Sequence, residues 1–171
     1  NKSDRFNVRF PKELKKEALK FELDDTSLSF ELQDSLPTTA ETRDNLISYP
    51  DILNQTDASY QVSDRGIKEA LILKDSTSPD QFRFCLKISS NLEWDQQENG
   101  RVEFKIKKSD KNLYYISPVY AVDTNGNEIN SVTQKIRQDG KDLIIEIEID
   151  KSGITEDQYP ITIDPTITIA P

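Results

Sequence analysis

Three acidic side chains, Glu146, Glu148 and Asp150, alternate along an apolar segment and are the first residues that could carry chemistry. Glycoside hydrolysis uses two carboxyl groups at a set separation, and residues two apart on a strand lie roughly 6.6 to 7 Å apart at Cα. The same alternation is typical of a solvated strand face, because no apolar neighbours would keep one of these acids protonated. We expect these acids to pair across strands with a second alternating set, Arg101, Lys105 and Lys107.

Asp123, Asn125 and Asn127 resemble the oxygen-rich start of a calcium-binding loop, in which alternate side-chain oxygens coordinate the ion. Such a loop has glycine at its sixth position and glutamate at its twelfth, where this chain has Glu128 and Gln134. The Asn-Gly dipeptide in this segment also favours the type I′ turn of a β-hairpin. Because turn chemistry accounts for these residues, the sequence predicts a hairpin here and no metal site.

Four aromatic residues, Trp94, Tyr114, Tyr115 and Tyr120, could together form a platform on which sugar rings stack. Aromatic side chains in β-proteins more often pack in the core or across strands, and we favour that role for these four. A carbohydrate-binding surface stays as the alternative interpretation.

The chain has no histidine, which removes Ser-His-Asp and Cys-His catalysis and the commonest transition-metal ligand. Its single cysteine, Cys85, has no partner for an internal disulfide and alternates with apolar residues of a predicted strand. We therefore expect Cys85 to be a small, half-buried side chain facing away from the core. The sequence predicts no catalytic residue, no cofactor and no metal ligand.

The charge balance of the 171-residue chain is strongly acidic, with 22 basic and 31 acidic residues and a net charge of -9. Such a field repels phosphate backbones and anionic lipids, so neither nucleic-acid binding nor membrane insertion is expected. No apolar run approaches the roughly 18 residues of a membrane-spanning helix. The chain lacks methionine, so we expect it to be cut from a longer protein.

Residues 58–73 form the stretch around which we expect the fold to be organised. Alternating apolar residues precede a turn at residues 63–66, in which Gly66 can adopt a positive φ, and a second strand follows at residues 67–73. Two short strands around such a turn make a β-hairpin. The second strand has apolar residues on both faces, which predicts a central position in its sheet.

About ten segments of alternating apolar residues, separated by short turns, predict an all-β fold, namely an antiparallel β-sandwich. We expect residues 1–36 to form a β-hairpin region, either a small appendage or packed on the main domain. Residues 45–171 are expected to form the main sandwich domain. The closing segment contains Pro160 and Pro165, which predicts an edge strand or a strand that leaves the domain.

Several short segments resemble those of a known protein family, and they occur in the same order along nearly the whole chain. The two most specific are GIKE at residues 66–69 and YPITIDPTI at residues 159–167. Weaker ones lie at residues 6–12, 48–53, 56–60 and 117–126. Together they resemble the β module that lies upstream of the repeats in bacterial wall-associated and Rhs/YD-repeat proteins, some of which are polymorphic toxins.

The resemblance implies a large secreted or cell-surface bacterial protein, in which this module precedes further β modules and YD repeats. The family offers no catalytic residues for this region, and toxicity belongs to a variable C-terminal domain that this chain lacks. We therefore expect a non-catalytic structural or interaction module whose partners are neighbouring domains of the same polypeptide. A module that binds cell-wall or surface glycan is the alternative.

Overall fold

The computed structural model describes residues 6–14 and 18–170, and no helix among them is long and apolar enough to span a bilayer. These residues form sixteen β-strands and one short 3-10 helix, Glu156–Gln158. The strands outnumber the predicted ten because several are very short. They are β1 (Asn7–Arg9), β2 (Leu19–Leu23), β3 (Thr26–Leu32), β4 (Glu41–Arg43), β5 (Leu46–Leu53), β6 (Thr56–Ser63), β7 (Gly66–Leu73), β8 (Gln81–Ile88), β9 (Leu92–Gln96), β10 (Val102–Ile106), β11 (Asn112–Ile116), β12 (Tyr120–Val122), β13 (Val132–Asp139), β14 (Asp142–Ile149), β15 (Ile161–Asp164) and β16 (Ile167–Ile169).

The strands form two antiparallel sheets. The six-stranded sheet has the order β1-β2-β3-β8-β14-β13. The ten-stranded sheet has the order β4-β5-β6-β7-β16-β11-β10-β9, and in addition β15 pairs with both β7 and β12. The chain is therefore an all-β sandwich, which confirms the fold class that the apolar alternation predicts.

Buried side chains from both sheets form one continuous core. Alternation places Phe82 and Phe84 of β8 in that core, as the sequence predicts. The ring of Tyr114 on β11 meets Phe21 on β2 edge to face, with centroids 5.3 Å apart. The Tyr114 hydroxyl also hydrogen-bonds to the hydroxyl of Thr26 on β3. One fully buried tyrosine of the ten-stranded sheet thus contacts two strands of the other sheet.

The predicted hairpin at residues 58–73 is confirmed as β6 and β7, with Ser63 opposite Gly66. Gly66 has a φ of +139°, a conformation that L side chains rarely adopt. On its other side β7 pairs with β15 and β16, so its predicted central position is also confirmed.

The N-terminal hairpin predicted within residues 1–36 is present as β2 and β3, with Leu23 opposite Thr26. β3 pairs with β8 over residues that include Phe30 and Leu86, so the hairpin continues the six-stranded sheet into the segment 45–171. Residues 1–5 and 15–17 lie outside the described residues. The division of the chain into two folding units stays a prediction.

The prediction that the closing segment is an edge strand or leaves the domain is wrong. β15 lies between β7 and β12, and β16 lies between β7 and β11. Pro160 precedes β15, and Pro165 separates β15 from β16. Neither proline therefore stands where the sheet would require a backbone N–H, which is the reason prolines are normally restricted to edges.

Candidate functional site

The acidic residues of β14 lie on the outer face of the six-stranded sheet. Glu146 Oε1 lies 3.1 Å from Nε of Arg83 on β8 and 3.5 Å from Nε of Arg137 on β13. Glu148 is exposed, two residues further along the strand. Asp150 follows the strand and accepts a backbone hydrogen bond from the next turn at 2.9 Å. Glu146 is thus paired on both sides with guanidinium groups.

The basic residues predicted to face these acids lie elsewhere, so that prediction is wrong. Arg101, Lys105 and Lys107 lie on and beside β10 in the ten-stranded sheet, whose neighbours are β9 and β11. Arg101, which directly precedes β10, instead forms an ion pair with Glu103 on that strand. Charge alternation is a local property of each strand, whereas strand order decides which charged faces become neighbours.

A groove of about 380 Å³ lies beside Glu146 and Glu148, and its walls include Arg83 and Lys135. A glycosidase requires two carboxyl groups on either side of the scissile bond. Here both acids project from one strand, and the groove supplies basic groups beside them. Glu146 and Glu148 are therefore not opposed to each other, and the remaining acid that lines the groove is Asp34.

Asp123 organises the loop that follows β12. Its Oδ1 accepts the backbone N–H groups of Asn125 at 2.8 Å and Asn127 at 2.9 Å, and its Oδ2 accepts from the Asn127 side chain at 3.0 Å. These donors, the Asn127 side chain foremost, lower the pKa of the Asp123 carboxyl below its ordinary value. The carboxylate oxygens are directed at loop donors, as in an Asx-turn.

The hairpin predicted at this loop is confirmed in a short form, because Val122 and Glu128 form an antiparallel bridge and the Ile129 N–H donates to the Ala121 carbonyl at 2.8 Å. β12 pairs with β15 in the ten-stranded sheet, and β13 pairs with β14 in the six-stranded sheet. The Gly126 N–H donates to the Asp123 carbonyl at 3.0 Å, so a turn is present. That turn closes the short hairpin, and the chain then continues into β13 in the other layer of the sandwich.

The four aromatic residues do not share one surface. Trp94 on β9 and the fully buried Tyr114 on β11 lie on the inner face of the ten-stranded sheet. Tyr115 lies on the opposite face, with the guanidinium of Arg101 5.2 Å from its ring centroid. Tyr120 is exposed on β12, and its hydroxyl donates to a carboxylate. The packing interpretation therefore describes Trp94 and Tyr114, and no platform of four rings exists.

Cys85 is half-buried on the outer side of β8, where the sequence predicts it. Its Sγ lies 3.7 Å from Oδ2 of Asp142. Burial, followed by the negative charge of Asp142, raises the pKa of the thiol. A thiol in this environment is a poor nucleophile, because the thiolate is the reactive form.

Sequence reasoning missed the buried carboxyl group of Glu69. This side chain is 4% exposed on the inner face of β7, between Ile67 and Leu71, and its Oε1 accepts a hydrogen bond from the Tyr60 hydroxyl at 2.7 Å. Burial raises the pKa of Glu69 to about 7, against the effect of the Tyr60 hydrogen bond and with a contribution from the charge of Asp164. The period-two pattern of β7 could have shown this, because Glu69 lies two residues from both Ile67 and Leu71 and therefore points to the same face of the strand.

A second buried carboxylate, Asp164, lies at the end of β15 and is 3% exposed. Lys68 Nζ lies 3.1 Å from its Oδ2, the Tyr120 hydroxyl donates to Oδ2 at 3.0 Å, and the Thr166 hydroxyl donates to Oδ1. We call these four residues the Asp164 cluster. The hydrogen bond that Lys68 donates to Asp164 is the largest cause of the raised pKa of the Lys68 ammonium group.

The two most specific segments of the sequence resemblance contact each other in the fold. Lys68, in residues 66–69, pairs with Asp164, in residues 159–167. The backbones of the two segments also approach closely, because a Cβ atom added to Gly66 would lie 2.4 Å from the carbonyl oxygen of Ile167. Both segments therefore lie at the centre of the ten-stranded sheet.

Among residues 6–14 and 18–170, no group of three or more His, Cys, Asp or Glu side chains could hold a metal ion. The polar atoms of the Asp164 cluster hydrogen-bond to one another, so their geometry is that of a structural cluster. No family model matches this chain, and no curated protein or solved structure matches it either.

Proposed function

We propose that this chain is a non-catalytic structural and interaction module of a large secreted or cell-surface bacterial protein of the wall-associated, YD-repeat type. One observation carries the proposal: polar residues of the most specific sequence segments are used for contacts inside the fold. Lys68 and Asp164 pair with each other, and Glu69 accepts a hydrogen bond from Tyr60. Side chains in such contacts stabilise the fold, and few of their polar groups are available to bind a substrate.

The weaker segments make internal contacts of the same kind. The Tyr49 side chain is fully buried, and its hydroxyl donates to the Pro11 carbonyl at 2.7 Å. Asp57 lies 2.8 Å from the Lys74 ammonium and accepts the backbone N–H of Asp51, also at 2.8 Å. These contacts fix the irregular part of β5 against β6, where the ladder register shifts.

The proposed role is to space and present neighbouring domains of the same polypeptide. Two large sheets sharing one core resist local opening, because a strand that separates must expose buried apolar side chains and break ladder hydrogen bonds. Stability does not depend on a disulfide, since the chain has a single cysteine. A net charge of -9 also favours solubility.

The test uses the chain with isolated bacterial cell walls and with soluble wall polysaccharides. We expect neither release of reducing ends nor retention on the insoluble glycan. Turnover that disappears in Glu146→Gln or Glu148→Gln would contradict a non-catalytic role. Retention that disappears in Trp94→Ala would favour a carbohydrate-binding module instead.

The cellular context is tested separately in the bacterium that produces the protein. Antibodies raised against this chain are expected to detect a much larger polypeptide in the cell-wall or culture-medium fraction. A cytoplasmic marker enzyme serves as the fractionation control. Recovery of the antigen together with that marker would contradict the proposed location.

A further inference from the structure

Each sheet ends in a strand whose outer edge pairs with no other strand in the described part of the chain. The six-stranded sheet ends at β13, and the ten-stranded sheet ends at β9. Such edges present rows of backbone N–H and C=O groups to which another strand can bind. β13 has eight residues and β9 has five, so each is long enough to accept a partner strand.

The ladder pattern determines which backbone groups face outward. In an antiparallel pair, alternate residues exchange hydrogen bonds with the partner strand, and the residues between them point away. The Asp150 N–H donates to the Ser131 carbonyl at 2.9 Å, which directs the odd-numbered residues of β13 toward β14. The Gln97 N–H donates to the Arg101 carbonyl at 2.8 Å, which directs the odd-numbered residues of β9 toward β10. Even-numbered residues therefore supply the free groups on both edges.

The two edges carry opposite charges on the outer faces of their sheets. Glu93 and Asp95 are exposed on β9, and Lys135 and Arg137 are exposed on β13. β13 carries these two cations on a chain whose net charge is -9, and its one acid, Asp139, lies 3.6 Å from Arg137. The charges of each edge also alternate with inward-facing side chains, so a single pairing register can bring both pairs of opposite charges together.

The inward-facing side chains of both edges are incompletely covered. Trp94 on β9 and Ile136 on β13 are partly buried and pack against the core. Beside Ile136, the side-chain oxygen of Gln134 is buried and has no hydrogen-bond partner in the described residues. A strand added at either edge would cover the apolar side chain and could supply a donor to the unpaired amide oxygen.

We propose that β9 of one molecule pairs in antiparallel orientation with β13 of a second copy of this chain. Placing Trp94 opposite Ile136 joins two residues whose backbone groups both face outward, so this pair exchanges two hydrogen bonds. The same register places Gln96 opposite Gln134, where the Gln96 amide group can donate to the unpaired oxygen. Such pairing requires only the folded chain, so it is independent of the proposed cell-surface context.

This register also aligns the charges. Glu93 then lies opposite Arg137, and Asp95 lies opposite Lys135, on the outer face of the joined sheet. Pairing of identical edges is disfavoured, because two β13 strands would bring basic side chains together and two β9 strands would bring acidic ones together. The contact is therefore heterologous, and a pair of molecules keeps one free edge of each kind. Such head-to-tail contacts extend past a dimer unless the rotation between copies closes a ring.

Sedimentation velocity over a concentration series tests the association. We expect the average mass to rise beyond that of a dimer and association to weaken in 1 M NaCl, where the Debye length is about 3 Å. The double variants Glu93→Lys/Asp95→Lys and Lys135→Glu/Arg137→Glu should each weaken association at least about tenfold. The double variant Arg43→Glu/Arg65→Glu, changed at exposed positions on β4 and in the β6–β7 turn, is the charge control and should associate like the wild type.

Mixing the two edge variants distinguishes pairing from a general charge effect. Each variant alone presents two edges of the same sign, whereas the mixture again offers an acidic edge to a basic one. We expect the mixture to regain association. A wild type that stays monomeric or a mixture that fails to associate would overturn the proposal.

Disulfide trapping tests the register in a Cys85→Ser background. Glu93 and Arg137 form a non-hydrogen-bonded pair in the proposed register, with Cα atoms expected about 4.5 Å apart, within disulfide range. Mild oxidation of a mixture of Glu93→Cys and Arg137→Cys proteins should therefore give a cross-linked heterodimer. The mixture of Glu93→Cys with Lys135→Cys should cross-link much less, and equal yields from both mixtures would overturn the register.

Discussion

The Lys68 ammonium lies 3.1 Å from the Asp164 carboxylate, and this ion pair joins the central strand β7 to the end of β15. The partners are unequally exposed, because the Lys68 side chain is 53% exposed and the Asp164 side chain only 3%. Removing the lysine therefore leaves a buried negative charge that only the Tyr120 and Thr166 hydroxyl groups solvate. The contact is structural, and its loss should be measurable as a loss of stability.

Lys68→Met should lower the free energy of unfolding by about 2 kcal/mol, because a buried carboxylate loses its cationic partner. Urea unfolding followed by Trp94 fluorescence measures this change. Lys107→Met removes the same charge at an exposed position and should change stability by less than about 0.5 kcal/mol. Equal effects of the two substitutions would show that the ion pair contributes nothing specific.

Gly66→Ala should destabilise the fold by about 3 kcal/mol or more, because the new Cβ would meet the Ile167 carbonyl oxygen at 2.4 Å on a backbone with φ of +139°. Gly140→Ala is the matched control, since Gly140 has a φ of +62° but open space around it. Its cost should be about 1 kcal/mol, from the backbone conformation alone. Similar unfolding midpoints for the two variants would contradict close packing of Gly66 on β16.

Glu69 should make the chain less stable as the pH rises from about 4.5 to 7. Burial raises its pKa in the folded state to about 7, above the ordinary 4.5, so the folded state binds the proton more tightly than the unfolded state does. Protonated Glu69 therefore makes its full contribution to stability below pH 4.5, and this contribution is lost as the pH rises through 7. The expected loss is about 3 kcal/mol.

Urea unfolding of the wild type and of Glu69→Gln across this pH range isolates that contribution. The glutamine variant should lack this pH-dependent loss of stability, and the difference between the curves removes the effects of other carboxyl groups. Parallel curves for the two proteins would show that Glu69 does not titrate in this range. Tyr60→Phe, which removes the hydroxyl that donates to Glu69, should extend the loss toward higher pH.

Phe21→Ala should destabilise the whole chain by about 3 to 5 kcal/mol, because Phe21 is fully buried and packs against Tyr114 of the other sheet. Far-ultraviolet circular dichroism and Trp94 fluorescence should report one shared transition. Leu36→Ala, at a side chain that is 49% exposed, is the control within the same region. A Trp94 transition that Phe21→Ala does not move would support residues 1–36 as a separate folding unit.

Calcium should not raise the thermal unfolding midpoint of the chain, because the Asp123 carboxylate accepts hydrogen bonds from Asn125 and Asn127. Differential scanning calorimetry with calcium and with chelator tests this expectation. Asp123→Ala should lower the midpoint in both conditions, whereas Asp110→Ala in an exposed turn should leave it nearly unchanged. A rise in midpoint with calcium that Asp123→Ala abolishes would establish the loop as a metal site.

The sequence by itself determined the local structure of this protein. Period-two alternation places Phe82, Phe84 and Leu86 on one face of β8, and a strand with this pattern can bury only that face. The turn before Gly66 likewise fixes the β6–β7 hairpin, because strands joined by so short a connection can only pair with each other. Fold class follows from repeating these local rules along the chain.

Only the tertiary structure decided which strands become neighbours. The Asn-Gly turn after Asp123 closes a short hairpin, yet the chain then passes to the other sheet, because β12 pairs with β15 and β13 with β14. Strand pairing also places the closing segment at the centre of the ten-stranded sheet. It brings Arg83 and Arg137, and not Arg101, beside Glu146. Alternation specifies the two faces of a strand but carries no information about its edges, so pairing depends on how the complete set of strands fills one core.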